Sequence, residues 1–331
     1  MGMLVNGQWR AEETFPSAQG HFVRRDASLR NWVTRDGAAG PTGVGGFAAE
    51  PGRYHLYVSL ACPWAHRTLI FRQLKRLGDL ISVSVVDPFM GAGGWAFTAP
   101  DGSLTMNSTP DQLNGARHLY ELYVKADSQY TGRVTVPILW DKRNATIVNN
   151  ESSEIIRMLN SAFDRWGDAT LDLYPAALRA DIDEINALVY ANVNNGVYRC
   201  GFATTQSAYE EAFDALFATL DELEARLSGQ RYLTGARITE ADWRLFTTLV
   251  RFDAVYHYHF KCNLRRLADY PNLWSYAREL YQWPGVAATL DLAQIKRHYY
   301  SSHSSINPTR IVPKGPLLDF RAQHDRARRF A

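Results

Sequence analysis

Along residues 54–58 the chain alternates, with Tyr54, Leu56 and Val58 on one side, which is the period of a β-strand. The period then lengthens. Ala65, Leu69, Leu74 and Leu77 recur at near-helical spacing, while Arg72, Lys75 and Arg76 share another face. Pro63 stands in the first helical turn, where its missing N–H costs nothing, and Gly78 is expected to end the helix. Ile81, Val83 and Val85 predict a second strand, closed by Asp87-Pro88. Together these make a β-α-β unit with Cys62 at the strand-to-helix junction.

A loop-rich insertion from Phe89 to about Leu113 follows, containing Gly91-Ala92-Gly93-Gly94-Trp95, and then a short helix near Arg117 to Ala126. Strands are expected over Val134 to Trp140 and Thr146 to Val148, joined by a turn at Asp141 to Asn144. Asn149 to Ser153 open a helix carrying Ile155, Ile156, Leu159 and Phe163. The order β-α-β-α-β-β-α is that of a thioredoxin-like α/β domain, assigned to residues 51–165. Beyond a linker near 164–175 every period is helical. Leu178, Ile182, Ile185 and Val189 share one face, and Tyr209, Phe213, Leu216, Leu220 and Leu223 another. Thr239 and Asp242 form a capping box, with Ile238 and Trp243 at staple positions. An all-α domain is therefore expected over 175–300. Residues 1–50 read as an irregular, glycine-rich extension and 301–331 as a tail.

Composition narrows the partners. At 331 residues the chain exceeds one ordinary core, and 46% apolar with 12% aromatic content excludes wholesale disorder. Thirty-six basic against 34 acidic residues leave +2, with the signs interspersed, so no nucleic-acid partner is expected. Arg321, Arg326, Arg328 and Arg329 read as a solvated basic tail. Three scattered cysteines, at 62, 200 and 262, are too few for a disulfide framework and suit a reducing compartment. No apolar run is long enough to span a membrane, no secretory signal opens the chain, and Asn6 stands where a myristoylation motif wants Ser or Thr. A cytoplasmic, soluble protein is expected.

The chemistry centres on Cys62. Amide N–H groups and the dipole at a helix start stabilise a thiolate, and His66 and Arg67 lie in the following turn. The alternative, a buried inert thiol, is the reading preferred for Cys200 and Cys262. Ala65 stands where a resolving cysteine would, so Cys62 depends on an external thiol. Val136-Pro137, entering a strand, would turn backbone groups toward the nucleophile if the bond is cis. Glu151-Ser152 at a helix start serve either as an ordinary cap or as a site for a carboxylate and an adjacent ammonium, the pair that a γ-glutamyl group carries. His257, His259 and Cys262 match no standard zinc spacing, so no metal is expected.

These residues resemble the glutathione transferase superfamily over about residues 50–300. More narrowly the chain is similar to its Xi class, the glutathionyl-hydroquinone reductases. The match rests on Cys62-Pro63-Trp64-Ala65, Asp87-Pro88 with Gly93-Gly94-Trp95, Gly132 to Asp141, and Asn150-Glu151-Ser152. It continues through Asn194 to Tyr198, Arg251 to Tyr256 and His298-Tyr299-Tyr300. The resemblance implies glutathione as co-substrate, a homodimer, and glutathione contacts at Trp95, Arg133, Val134, Thr135, Val136, Glu151 and Ser152. It also implies that Tyr198, Tyr256 and Tyr299 line the electrophile pocket, with Tyr198 giving a proton to the departing aromatic. Tyr256 and Tyr299 would donate hydrogen bonds that favour the thiolate, and Tyr300, adjoining Tyr299, is the alternative for that last position. From the residues alone a tyrosine in an aromatic-rich helix is more often core; only Tyr198 gains support, because Asn194-Asn195-Gly196 is expected to end a helix and leave it at a loop edge. Two other readings remain. One is an Omega-like thioltransferase or dehydroascorbate reductase, which would lack the Gly93-Gly94-Trp95 insertion and the tyrosine trio. The other is a noncatalytic interaction module, which has no need of a reactive thiol.

Overall fold

The computed structural model describes residues 2–12 and 17–331, so Met1 and residues 13–16 of the expected extension lie outside the described part. Packing divides the chain into two compact units. One comprises Met1–Phe15, Arg25–Leu171 and Thr289–Ser302; the other comprises Pro16–Arg24, Asp172–Ala288 and His303–Ala331. The expected extension is therefore shared between the units, and residues 289–302 group with the first.

In chain order the elements begin with two hairpins, β1 (Met3–Val5) with β2 (Gln8–Arg10) and β3 (Ser17–Ala18) with β4 (His21–Phe22). Then come β5 (Tyr54–Val58), α1 (Pro63–Leu74), β6 (Ser82–Val85) and α2 (Leu119–Ala126). β7 (Gly132–Arg133), β8 (Ile138–Asp141), β9 (Thr146–Asn149) and α3 (Ser152–Ser161) complete the series. The central sheet runs β6-β5-β8-β9, with β5 parallel to β6 and antiparallel to β8. That is the predicted order of elements. All five β5 residues are buried, so the strand is covered on both faces rather than one, and its polar His55 is satisfied by Ser82 and Ser84 (2.7 and 3.0 Å).

Three local expectations change. The strand predicted from Val134 starts only at Ile138, because Pro137 has no N–H for a ladder. The Val136-Pro137 peptide is cis, and Gly132 and Arg133 pair instead with Leu4 and Met3. Helix α1 stops at Leu74, before Gly78: Arg76 takes the left-handed conformation (φ 55°), and the Leu77 N–H donates to Arg72 O at 2.8 Å. Lys75, assigned to a polar face, is buried, and its ammonium donates to Asp164 and to Leu171 O (3.0 and 2.7 Å). The extension, expected as irregular chain laid over a folded domain, pairs with that domain's backbone and side chains. Asn31 N–H donates to Val148 O and Asn150 N–H to Leu29 O, each at 3.0 Å, while Arg30 grips the buried Glu154 of α3 with both arms of its guanidinium.

The second unit holds α4 (Arg179–Val189), a π-helical turn Tyr190–Asn194, α5 (Gly196–Gly201), α6 (Gln206–Gly229) and α7 (Glu240–Arg251). A second π-helical turn Phe252–Tyr256, α8 (His257–His259) and α9 (Pro271–Tyr281) follow. α10 (Leu292–Ser302) lies in the first unit, and α11 (Arg326–Arg329) closes the chain. Every residue of α7 is buried, so its start must satisfy its own polar groups. The capping box does so: Asp242 accepts from Thr239 N–H (2.7 Å), Leu233 N–H (2.9 Å) and the Tyr276 hydroxyl (2.7 Å). Among the described residues no helix is long and apolar enough to cross a membrane.

The basic C-terminus is not a solvated tail throughout. Arg326 is buried, donating to Leu227 O (3.1 Å) and Gln230 O (2.8 Å), and its Nε lies 3.3 Å from Glu279. Arg321 and Arg328 are exposed, as expected of a tail.

Candidate active site

Cys62 is the N-cap of α1, in extended backbone (φ −76°, ψ 123°). Its carbonyl accepts from His66 N–H at 3.0 Å and starts the helix; its own N–H donates to Ser59 O at 3.1 Å. The thiol does not cap the helix. Its Sγ lies 3.6 Å from the Val136 carbonyl, immediately before the cis peptide. Cys62 is half-buried, whereas Ala65, where a resolving thiol would stand, is fully buried. His66 and Arg67 are buried as well and are engaged with other groups. His66 Nε2 bonds Thr289 Oγ1 at 2.8 Å. The Arg67 guanidinium lies 4.5 Å over the Trp64 ring and donates to Ser152 Oγ at 3.4 Å. Arg67 therefore couples the start of α1 to the start of α3.

Glu151 is the N-cap of α3. One carboxylate oxygen accepts from Ser153 N–H and Ser153 hydroxyl, at 2.9 and 2.8 Å, so the ordinary capping role is filled. Glu151 remains half-buried, while Ser152 is buried beneath the Arg67 contact. The first unit thus brings together Cys62, Val136 and, through Arg67, Ser152 beside Glu151.

The segment from Arg133 to Val136 is held by a residue that no sequence signal singles out. Tyr123, fully buried in α2, donates its hydroxyl to Thr135 O (2.9 Å) and accepts from Thr135 N–H (3.2 Å) and Asn150 Nδ2 (3.1 Å). Burial pushes that phenol up to about 12, so it is a neutral donor and acceptor at any physiological pH. One tyrosine therefore fixes both the strand entry and the α3 start. Among 17 tyrosines no spacing or motif marks it.

Trp95 is also placed by its neighbours. Its ring stacks on His298 with centroids 4.6 Å apart, and His298 Nδ1 bonds Pro88 O at 2.9 Å. The preceding loop is clamped by β2, where Trp9 Nε1 donates to Ala92 O at 2.9 Å. Gly94 has φ +72°, and a Cβ there would sit 2.8 Å from the Trp9 ring, so the position requires glycine.

The three tyrosines fall in different units. Tyr299 belongs to α10 in the first unit, as Cys62 does, and both it and Tyr300 are buried. Tyr198 and Tyr256 belong to the second unit, their ring centroids 6.1 Å apart. Tyr198 is not at a loop edge. The π-helical turn Tyr190–Asn194 does end at this Asn194-Asn195-Gly196 signal, but α5 starts at once at Gly196, so Tyr198 lies within a helix and no loop intervenes. Cys200 and Cys262 are buried, and burial together with the adjacent Cys200 thiol pushes the Cys262 thiol well above its ordinary range. His259 faces His303 (Nε2 to Nδ1, 3.2 Å), and no group of three or more His, Cys, Asp or Glu residues among those described is arranged to hold a metal.

This arrangement is a half-exposed thiol at a helix start, beside a backbone carbonyl, in a thioredoxin-like unit, with a separate helical unit following. Residues 61–162 match the glutathione S-transferase N-terminal domain and residues 206–279 its C-terminal domain. The chain is 54% identical over 333 residues to glutathionyl-hydroquinone reductase YqjG of Escherichia coli, covering all of both chains. The glutathione-bound structure of that protein aligns over 99% of this chain and all of its own, with a TM-score of 0.90. Identity to glutathionyl-hydroquinone reductase PcpF of Sphingobium chlorophenolicum is 56% over 317 residues, or 96% of each chain. The Xi class glutathione transferase of Natrialba magadii aligns over 99% of this chain and 97% of its own, at 49% identity and a TM-score of 0.89. The chain belongs to the glutathione transferase superfamily and, within it, to the Xi class.

Proposed function

We propose that this protein reduces glutathionyl-hydroquinones with glutathione, through a mixed disulfide on Cys62. The Cys62 thiolate attacks the glutathione sulfur of the substrate, forming an S–S bond as the carbon–sulfur bond breaks. The electron pair of the broken bond stays on the aromatic carbon, which takes a proton, and the hydroquinone leaves. A second glutathione thiolate then attacks the mixed disulfide and departs as glutathione disulfide, restoring Cys62. The balance is one glutathionyl-hydroquinone and one glutathione in, one hydroquinone and one glutathione disulfide out.

The observation that carries this reading is the Cys62 thiol 3.6 Å from Val136 O with alanine in place of a resolving cysteine. A disulfide formed on such a thiol needs an external thiol to release it. Arg133 to Val136, Trp95, Glu151 and Ser152 are proposed to bind the tripeptide, the Val136 backbone running alongside its extended chain. Tyr198 is proposed as the proton donor, with Tyr256 and Tyr299 donating hydrogen bonds that favour the thiolate form. Class membership also supports a cytoplasmic homodimer, to be checked by sedimentation velocity as a species of twice the chain mass.

The test is hydroquinone release from a glutathionyl-hydroquinone in excess glutathione, for the wild type and Cys62→Ser. Loss of turnover by at least about a thousandfold is expected on removal of a covalent nucleophile. Without free thiol, mass spectrometry should find one glutathione on Cys62. Retained turnover in Cys62→Ser sinks the mechanism; reduction of dehydroascorbate or of simple mixed disulfides with no release from glutathionyl-hydroquinones would select the Omega-like reading.

A further inference from the structure

The N-terminal hairpin of β3 and β4 packs within the helical unit, and it carries a cation to Tyr198. The Thr204 N–H donates to Gly20 O at 3.0 Å, which pins the hairpin turn beside the start of α6. Phe22 is buried, its ring 6.4 Å from that of Tyr198. Immediately beyond, the Arg24 guanidinium lies over the Tyr198 ring, 4.9 Å from its centroid. Its Nε donates to Asn195 Oδ1 at 2.9 Å, so the group is tethered three residues before the ring it covers. A planar guanidinium bonded along one edge and stacked on an aromatic face is a geometry that lysine does not reproduce.

We propose that Arg24 is a positioning residue for Tyr198, holding its ring and stabilising the phenolate left once its proton has gone to the departing hydroquinone carbon. The proposal rests on the reading of Tyr198 as proton donor. A cation over a ring face is attracted by the ring quadrupole, and the attraction grows when the phenol becomes an anion. Arg24 therefore favours the state of Tyr198 that follows proton delivery. The balance is unchanged: the carbon–sulfur pair and the Tyr198 proton make the new C–H bond, the Cys62–glutathione S–S bond forms, and solvent returns a proton to the phenolate. Ordering the hairpin thus serves the chemistry as well as the cover of α5.

Ping-pong kinetics separate this role from a structural one, because a proton donor to carbon acts only in the first half-reaction. Rapid-quench measurement of hydroquinone release without free thiol gives that step; mixing the isolated Cys62–glutathione adduct with glutathione gives the second. Arg24→Met is expected to slow the first by about tenfold, the scale of a partly buried cation–π contact, and to leave the second unchanged. Arg24→Lys should recover part of the loss, through charge without the fork. In a Tyr198→Phe background Arg24→Met should cost nothing further. Equal slowing of both half-reactions, or an undiminished loss in the Tyr198→Phe background, overturns the proposal while leaving the Cys62 mechanism intact. A wild type that forms no adduct on Cys62 overturns the proposal together with the function on which it rests.

Discussion

His55 occupies the middle of a sheet where both faces are covered, with its two ring nitrogens on Ser82 and Ser84 and its ring 4.5 Å from that of Tyr57. A neutral imidazole suits that place, since one nitrogen donates and the other accepts. Burial lowers its pKa from 6.5 to about 4. Between those values the unfolded chain holds the extra proton and the folded chain does not, so stability rises with pH there. Acidification from pH 6.5 to 4 is expected to cost about 3 kcal/mol through this one group. Denaturant midpoints against pH should show the loss, and His55→Gln should flatten that slope even where it lowers stability overall; an unchanged slope would exclude His55 as the cause. Tyr123 makes the same point about residues that carry structure without a sequence mark. Cys62 was legible because helix-start position and thiol chemistry are both local properties. Tyr123 was not, because its three partners lie 12 and 27 positions away and only the fold brings them to one hydroxyl.

Among the elements, the 24-residue α6 shows how an end is finished from a distance. A helix leaves its last carbonyls without intrahelical donors. Here Arg326 and Arg329 supply them: Arg326 donates to Leu227 O and Gln230 O, and Arg329 to Ser228 O. Arg326→Met should remove about 2–4 kcal/mol of stability, since it strips buried acceptors and uncovers the buried Glu279. Arg328→Met, at an exposed site, should change stability by less than about 0.5 kcal/mol. Equal thermal melts for the two variants would show that the contact contributes nothing. Charge count alone read this stretch as solvated, because composition does not say which cation has a carbonyl to meet. The end of α1 failed in the same way. Gly78 was the expected stop, but Arg76 adopted the left-handed turn instead, since the buried Lys75 beside it is anchored on Asp164 and Leu171.

At the scale of the molecule, three thiols of identical intrinsic chemistry are sorted by burial. Cys62 is half-buried at its helix start, while Cys200 and Cys262 are enclosed in the helical unit. Iodoacetamide on the native protein is therefore expected to label Cys62 alone, and all three cysteines after unfolding in guanidinium; native labelling of Cys262 would contradict the packing. The division of the N-terminal region is likewise a whole-molecule fact. Its first hairpin forms a separate three-stranded sheet with β7, whereas its second joins the helices and brings Arg24 to Tyr198. The sequence by itself determined the order of elements, the candidate thiol at a helix start and the missing resolving cysteine. Each follows from periods and motifs within a few residues, where local sterics and charge act. Tertiary structure alone decided that Val134 leaves the strand, that Tyr123 braces the cis-proline loop, that Arg326 is interior, and which unit each tyrosine joins. Those outcomes depend on partners far apart in the chain, whose meeting is fixed by burial of apolar surface and the pairing of buried polar groups.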